Sequence, residues 1–318
     1  MLQFSVIIPV YNGEKFIRET VESAIHSLRK FEGEIIIIDD GSVDLTPNIL
    51  AEITSDLQII SQENQGQASA VNAGIFNAKG KYSIIVNADD PLIDSELFES
   101  AWRILEENSA IVGTYPDWNL IDDRGAILEQ VNVKDFSQRE FVGRFNCLIG
   151  PGGIFRTKLA KEINGWNKTY RFVPDYDFWL RLSKFGDFRH VNRVQAQWRS
   201  HGESISIGSR GKRMAEERIA VITSHVKSNP QIDRKLARMA LANAYYRAGM
   251  LSYFDATIPG YKYALRAIKL HPKILIENNF GALIFMMFSP VSSRVIQTLS
   301  KIVNLGHIAS NIQKSLKK

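Results

Sequence analysis

The chain has 318 residues, 45% apolar and 23% charged, with 39 basic against 34 acidic side chains and a formal net charge of +5. That apolar mass suffices for a full core and excludes a disordered chain, while the mild basic excess points to an anionic ligand or a membrane surface more than to a nucleic-acid stripe. The single cysteine, Cys147, excludes an internal disulfide and fits a reducing compartment; it reads as a packed structural thiol.

The first stretch, MLQFSVIIPVYNGE, has no basic region before its apolar run and meets Pro9 too soon for a signal sequence, so it reads as a strand. An amphipathic stretch, EKFIRETVESAIHSLRKF, follows, and then EIIIIDD, TPNILAEIT, LQIISQ, GQASAVNAGIFNAKG and KYSIIVNADD. Short β-branched runs alternating with helical stretches form a βαβ rhythm. It predicts a parallel sheet covered on both faces, with ligands gathering at the carboxyl ends of the strands. Three such ends carry polar punctuation: Tyr11-Asn12-Gly13, Asp39-Asp40-Gly41-Ser42 and Asn87-Ala88-Asp89-Asp90. Thr46-Pro47 predicts a helix cap followed by proline at the first helical position. Residues 99 to 107 read as helix, and IVGTYPDWNLIDDRGAILEQV as strand, turn and strand around Asp122-Asp123-Arg124-Gly125. PGGIFRTKLAKEINGWN supplies a glycine-rich turn, a helix and a turn. PDYDFWLRLSKFG is then a helix with Phe178, Leu182 and Phe185 on one face.

Beyond about residue 210 the texture becomes basic and alanine-rich, as in RKLARMALANAYYRAGM and GYKYALRAIKLHP. A boundary is therefore expected near Gly208 to Gly211, between a domain over 1–210 and a helical region over 211–318. No stretch reaches the roughly 20 consecutive apolar residues of a membrane span. FGALIFMMFSPV, residues 280–291, comes nearest, with Lys273, Arg294, Lys301 and a lysine-rich tail around it. It reads either as a buried helix or as a peripheral attachment to an anionic leaflet.

Two adjacent carboxylates at the end of a buried strand repel each other and lose hydration, so something must reward Asp89-Asp90. A hard cation would do so; a plain surface turn is the alternative for such a pair alone. The pair stands in order with PVYN, DDGS, NQGQASAVNAGI (64–75), PDYDFWLRL and QWRSHGESIS (197–206). With these motifs the chain resembles the inverting, non-processive family 2 glycosyltransferases over about residues 4–207.

The resemblance implies an α/β fold of the GT-A type, a Rossmann-like nucleotide-binding mixed sheet flanked by helices, here with a C-terminal helical appendage. It implies that Pro9 and Tyr11 line the base pocket of the nucleotide, that Asp40 accepts a hydrogen bond from a uracil ring and that Asp39 supports the loop. Gln67 and Asn72 are expected to border the donor pocket. Asp90, with Asp89 beside it, is expected to hold Mn²⁺ or Mg²⁺ against the donor diphosphate, with His201 as a further ligand and Arg199 as a diphosphate clamp. Asp175 stands at the position of the family's catalytic base, although Pro174 replaces the usual preceding glutamate. Trp166 is expected to offer an aromatic platform to the acceptor, and Asp117 to meet its hydroxyls.

The implied activity is metal-dependent, inverting transfer of one sugar from a nucleotide sugar, a UDP-sugar first, to a hydroxyl of a glycan or lipid-linked acceptor. The expected place is the cytoplasm or the inner face of the membrane, with no nucleic-acid partner. A processive synthase would show a QxxRW motif, whose spacing Gln195-Ala196-Gln197-Trp198-Arg199 lacks. A sugar-nucleotide pyrophosphorylase would show a glycine-rich phosphate loop where PVYNGEKF has one glycine. A non-catalytic scaffold of the same fold would have no need of both the metal and the base carboxylates.

Overall fold

The computed structural model describes residues 2–200, 211–253, 255 and 257–278. His201, the expected boundary near Gly208, the 280–291 run and the lysine-rich tail lie outside the described residues. Contacts divide the chain into one unit of Met1–Ser137 with Cys147–Gly202 and a second of Gln138–Asn146 with Glu203–Lys318.

The first unit is built on a sheet. Strands β1 (Phe4–Val10), β2 (Gly33–Asp39), β3 (Gln58–Ser61) and β4 (Tyr82–Ile85) run parallel in the order β3-β2-β1-β4. Helices α1 (Ile17–Leu28), α2 (Thr46–Glu52) and α3 (Gln67–Asn77) connect them. Every residue of β1 is buried, as a strand covered on both faces requires. Phe4, Val6, Ile8 and Val10 join Ile17, Val21 and Leu28 of α1 and Phe98, Ala101 and Leu105 of α4 (Glu96–Glu107) in one core. The opposite face receives α3, which approaches so closely that a Cβ on Gly74 would stand 2.2 Å from Ile7 Cγ2. Glycine makes that approach available.

Past β4 the sheet turns mixed. The next strand in space is β7 (Ile154–Arg156), antiparallel to β4, followed by β5 (Ile111–Ile121), antiparallel to β7. β5 also pairs with β6 (Ile127–Val131) across the expected turn and, in parallel, with β8 (Asp187–Arg199). No sequence pattern announces β8. Its register against β5 shifts at three places, and such irregularities erase the alternation that marks a strand.

Helix α5 (Thr157–Glu162) follows β7, and α6 (Pro174–Leu182) sets Phe178 and Trp179 edge-on to Phe155 of β7 at 5.1 and 5.6 Å. Phe178 and Leu182 are buried, but Phe185, expected on the same face, lies past the helix end and is exposed. Thr46 is not the expected cap. Its hydroxyl accepts from the Gly13 N–H at 2.8 Å, while Asp44 accepts from the Thr46 N–H at 3.0 Å. Cys147, expected to be packed, is exposed.

The second unit holds α7 (Lys212–Lys227), α8 (Arg234–Met250), α9 (Gly260–Leu270) and the single turn α10 (Ile274–Glu277). Asp233 caps α8 by accepting from the N–H groups of Lys235 and Leu236. Ala242, Tyr246 and Met250 of α8 pack with Ala264 and Ala267 of α9 and with Ile274. A π-helical turn at Arg139–Gly143 belongs to this unit, and its Gly143 carbonyl accepts from Asn243 Nδ2 at 3.0 Å. Among the described residues no helix is long and apolar enough to cross a membrane.

Candidate active site at the carboxyl edge of the sheet

Because β1, β2 and β4 run parallel, Tyr11, Asp39-Asp40 and Asp89-Asp90 follow their ends on one edge of the sheet. Pro9 belongs to the same side of β1 as Ile7, whose carbonyl accepts from Val86 N–H, the last bond on the β4 side. The missing proline N–H therefore faces the place where β4 has left the ladder, and the strands part there without an unpaired donor. Tyr11 follows directly and is 51% exposed.

The loops after β1 and β2 are laced together. Asn12, at φ +51°, donates its N–H to Ser42 Oγ and accepts the Val43 N–H on Oδ1, both at 2.9 Å. Glu14 N–H donates to Asp44 at 3.0 Å, and Glu14 in turn accepts from Leu45 N–H at 2.9 Å. Asp39 accepts from Ser42 N–H at 2.9 Å, the loop-supporting place the sequence implied. Asp40 is buried and accepts three hydrogen bonds: Gln62 Nε2 at 2.6 Å, Gln65 N–H at 2.9 Å and Gly66 N–H at 2.8 Å all donate to it. It thereby ties the end of β2 to the start of α3. Gln67, the first residue of that helix, donates to Asn87 Oδ1 at 3.2 Å and so reaches the acidic loop.

That loop is held from two further directions. Thr20 of α1 donates its hydroxyl to the Ala88 carbonyl at 2.9 Å. Asp90 is 4% exposed, and its two oxygens accept from Arg199 N–H and Asn87 Nδ2, each at 2.8 Å. Burial, then the Asp89 charge beside it, pushes the Asp90 carboxyl up to about 8. Asp90 braces the loop, with Asp89 half-buried beside it.

Arg199 belongs to the same brace. Its side chain is buried at the end of β8, where Nε donates to the Asp89 carbonyl at 2.9 Å. Nη1 donates to the carbonyls of Asp122 and Asp123 at 3.1 and 3.2 Å, and Nη2 to Glu19 at 2.7 Å. The guanidinium lies 4.6 Å from the Phe16 ring centroid. So enclosed, it ties α1, the β5–β6 turn and the acidic loop together.

Asn72, expected at the donor pocket, and Trp166, expected at the acceptor, meet each other. Asn72 Nδ2 donates to the Trp166 carbonyl at 2.8 Å, and Trp166 N–H donates back to Asn72 Oδ1 at 2.6 Å. Gly165, at φ +60°, admits this clasp, since a Cβ there would fall 2.1 Å from Asn72 Oδ1. Arg181 closes the loop from α6 by donating to the Ile163 and Gly165 carbonyls, both at 2.6 Å, and to Asp177 at 2.8 Å. Trp166 is largely buried and lines a groove of about 730 Å³ with Gln62, Phe76, Lys168 and Arg181.

Asp117, read as an acceptor contact, is buried in a network of its own. It accepts from Val133 N–H at 2.7 Å and faces His190 Nε2 at 2.9 Å. The other His190 nitrogen faces Asp135 at 3.0 Å, and the ring stacks on Tyr115. Asp117 is thereby a strut between β5, β8 and the 132–135 segment. Asp175 lies in the first turn of α6, where burial holds its carboxyl above the ordinary aspartate range against two lowering backbone hydrogen bonds. A carboxylate held so is suited to take a proton.

The bracing residues Gln62, Glu19, Thr20 and His190 escaped the sequence reading because each acts through a partner far along the chain. Arg181 alone left a trace, as the i+4 neighbour of Asp177. Among the described residues no group of three His, Cys, Asp or Glu could hold a metal ion. The donor set nevertheless fits Mg²⁺ or Mn²⁺, which are commonly held by one or two carboxylates together with the substrate's phosphates.

The sequence model described as Glycosyl transferase family 2 matches residues 5–163. Chondroitin synthase of Escherichia coli is 30% identical over 210 residues, covering 64% of this chain and 30% of the synthase. Hyaluronan synthase of Pasteurella multocida is 27% identical over 210 residues, covering 65% of this chain and 21% of the synthase. The chain thus spans under a third of the length of either synthase. Among solved structures, S. aureus TarS 1-349 in complex with UDP-GlcNAc aligns at TM-score 0.64 with 16% identity, covering 91% of both chains. The mannosyltransferase PcManGT from Pyrobaculum calidifontis, in complex with GDP-Man and Mn2+, aligns at 0.56 with 15% identity, covering 99% of this chain and 85% of its own. At such identities the likeness is one of fold, the GT-A type.

Proposed function

The chain belongs to glycosyl transferase family 2, and from that premise we propose that it transfers one sugar from a nucleotide sugar, a UDP-sugar first, to a hydroxyl of a glycan or lipid-linked acceptor with inversion. The observation that carries the reading is the shared edge where the ends of β1, β2 and β4 assemble Tyr11, Asp40 and Asp89. The half-exposed Tyr11 ring gives the nucleotide base a stacking face, and Pro9 keeps the crevice beside it open. Asp40 sets the rim of the base pocket through Gln62, Gln65 and Gly66. Asp39 holds the turn behind it. Gln67 stands between that rim and the acidic loop.

The Asp89-Asp90 loop, kept in place by Arg199, would hold Mn²⁺ or Mg²⁺ together with the donor diphosphate. The cation, when bound, neutralises charge on the departing nucleoside diphosphate. Asp175 takes the proton from the acceptor hydroxyl as that oxygen attacks the anomeric carbon opposite the leaving group. Its burial keeps the base strong enough for that transfer.

A panel of UDP-, GDP- and dTDP-sugars, scored by thermal stabilisation with Mn²⁺ and then by transfer to candidate acceptors, tests the reading. One nucleotide class should stabilise the protein, and Asp89→Ala should abolish the Mn²⁺ dependence of that stabilisation. Failure of every nucleotide sugar to bind would sink the proposal. Undiminished Mn²⁺ dependence in Asp89→Ala would remove the metal assignment.

A further inference from the structure

Helix α9 carries charge and apolar surface on the same exposed face. Tyr261, Lys262, Leu265, Arg266 and Lys269 recur at i, i+1, i+4, i+5 and i+8, one continuous strip of a helix, and all five are exposed. Leu265 is 54% exposed, and Ile276, one turn beyond exposed Lys273, is 87% exposed. Lys262, Arg266, Lys269 and Lys273 make no salt bridge among the described residues. Lys262 and Arg266 lie over the rings of Tyr261 and Tyr245, contacts that leave their charge in place.

The charge is one-sided beyond the helix too. From residue 256 to the end of the sequence nine Lys or Arg stand against one acid, Glu277. That acid is already engaged by His271 at 3.0 Å and by Arg139 at 3.1 Å.

We infer that this face of α9, with Lys273 and Ile276, docks the protein on an anionic lipid bilayer. The lysines and arginine meet acidic headgroups, while Leu265, Tyr261 and Ile276 enter the boundary with the acyl chains. A nucleic acid would satisfy the cations but would leave the exposed aliphatic side chains in water, whereas the bilayer surface satisfies both. The inference deepens the proposed function in one respect, since a lipid-linked acceptor presents its hydroxyl at such a surface. The observations behind it are independent of the transfer site.

The test is co-sedimentation of the full chain with phosphatidylcholine vesicles and with phosphatidylcholine/phosphatidylglycerol vesicles, across a salt series. Binding should need phosphatidylglycerol and weaken as salt rises. The triple variant Lys262→Gln, Arg266→Gln, Lys269→Gln should bind at least about tenfold more weakly, given the attraction each basic residue contributes near an anionic surface. Leu265→Ser should also weaken binding, with circular dichroism showing that each variant keeps its helices. Equal partitioning to both vesicle types would overturn the inference, as would a triple variant that binds like the parent. Loss to heparin competition with Leu265→Ser indistinguishable from the parent would overturn it in favour of a polyanion surface. Nucleotide-sugar stabilisation measured on the same variants should be unchanged, so a failure of the transfer reading is seen separately from a failure of docking.

Discussion

Asp175 and Arg199 are two charged groups whose surroundings ask opposite things of them. Burial disfavours the charged form of Asp175, so its proton affinity is raised. A base must be deprotonated, so turnover should fall as pH drops through a value above the ordinary aspartate pKa of about 4. In Asp175→Asn turnover should fall by about 10²–10⁴ with donor binding, read by calorimetry, retained. The stability of the same carboxyl runs the other way. With its folded pKa raised, its contribution is full below the unfolded value and is lost as pH rises through the folded one. Thermal melts should therefore show Asp175→Asn gaining on the parent as pH increases. Arg199 is charged and enclosed, and Arg199→Ala would leave the carbonyls of Asp89, Asp122 and Asp123 short of a donor. Urea denaturation should show a loss of about 3 kcal/mol or more. A diphosphate clamp would instead raise the donor KM at unchanged stability. The sequence drew attention to both residues by their motif neighbours. It could not separate their tasks, because the difference lies in which atoms from residues 19, 89, 122 and 123 enclose the guanidinium.

At the scale of elements, the approach of α3 to the sheet is set by Gly74. In Gly74→Ala the new methyl would meet Ile7 Cγ2, and overpacking of this kind costs about 1–3 kcal/mol. The double variant with Ile7→Ala should be less destabilised than the sum of the two single changes, as read by a double-mutant cycle from urea midpoints. The parallel strands and their helices were legible because β1, β2 and β4 are apolar runs bounded by turn residues. β8 was not, since its bulged pairing with β5 scatters buried and exposed positions along thirteen residues. The clasp between Asn72 and the Trp166 backbone was also invisible. A side-chain amide on a helix announces nothing about a loop ninety-four residues away.

For the whole molecule, the division into units is not a single cut in the chain. Residues 138–146 belong with the helices of the second unit, where Phe141 and Val142 are fully buried. A chain ended at residue 210, the boundary composition suggested, keeps this segment but lacks α8, whose Asn243 holds the Gly143 carbonyl. Such a fragment should be cleaved within 138–146 by limited proteolysis and should bind a hydrophobic dye, while the full chain does neither. The sequence by itself determined the family, the parallel half of the sheet and the edge on which the polar strand ends meet. Local apolar periodicity and short motifs carry that information within a few residues. Tertiary structure alone decided that Asp90 and Arg199 brace the acidic loop, that Asn72 clasps the Trp166 backbone, and that 138–146 joins the helices. Each of those outcomes depends on burial and on hydrogen bonds between residues distant along the chain, and neither is expressed until the chain is packed.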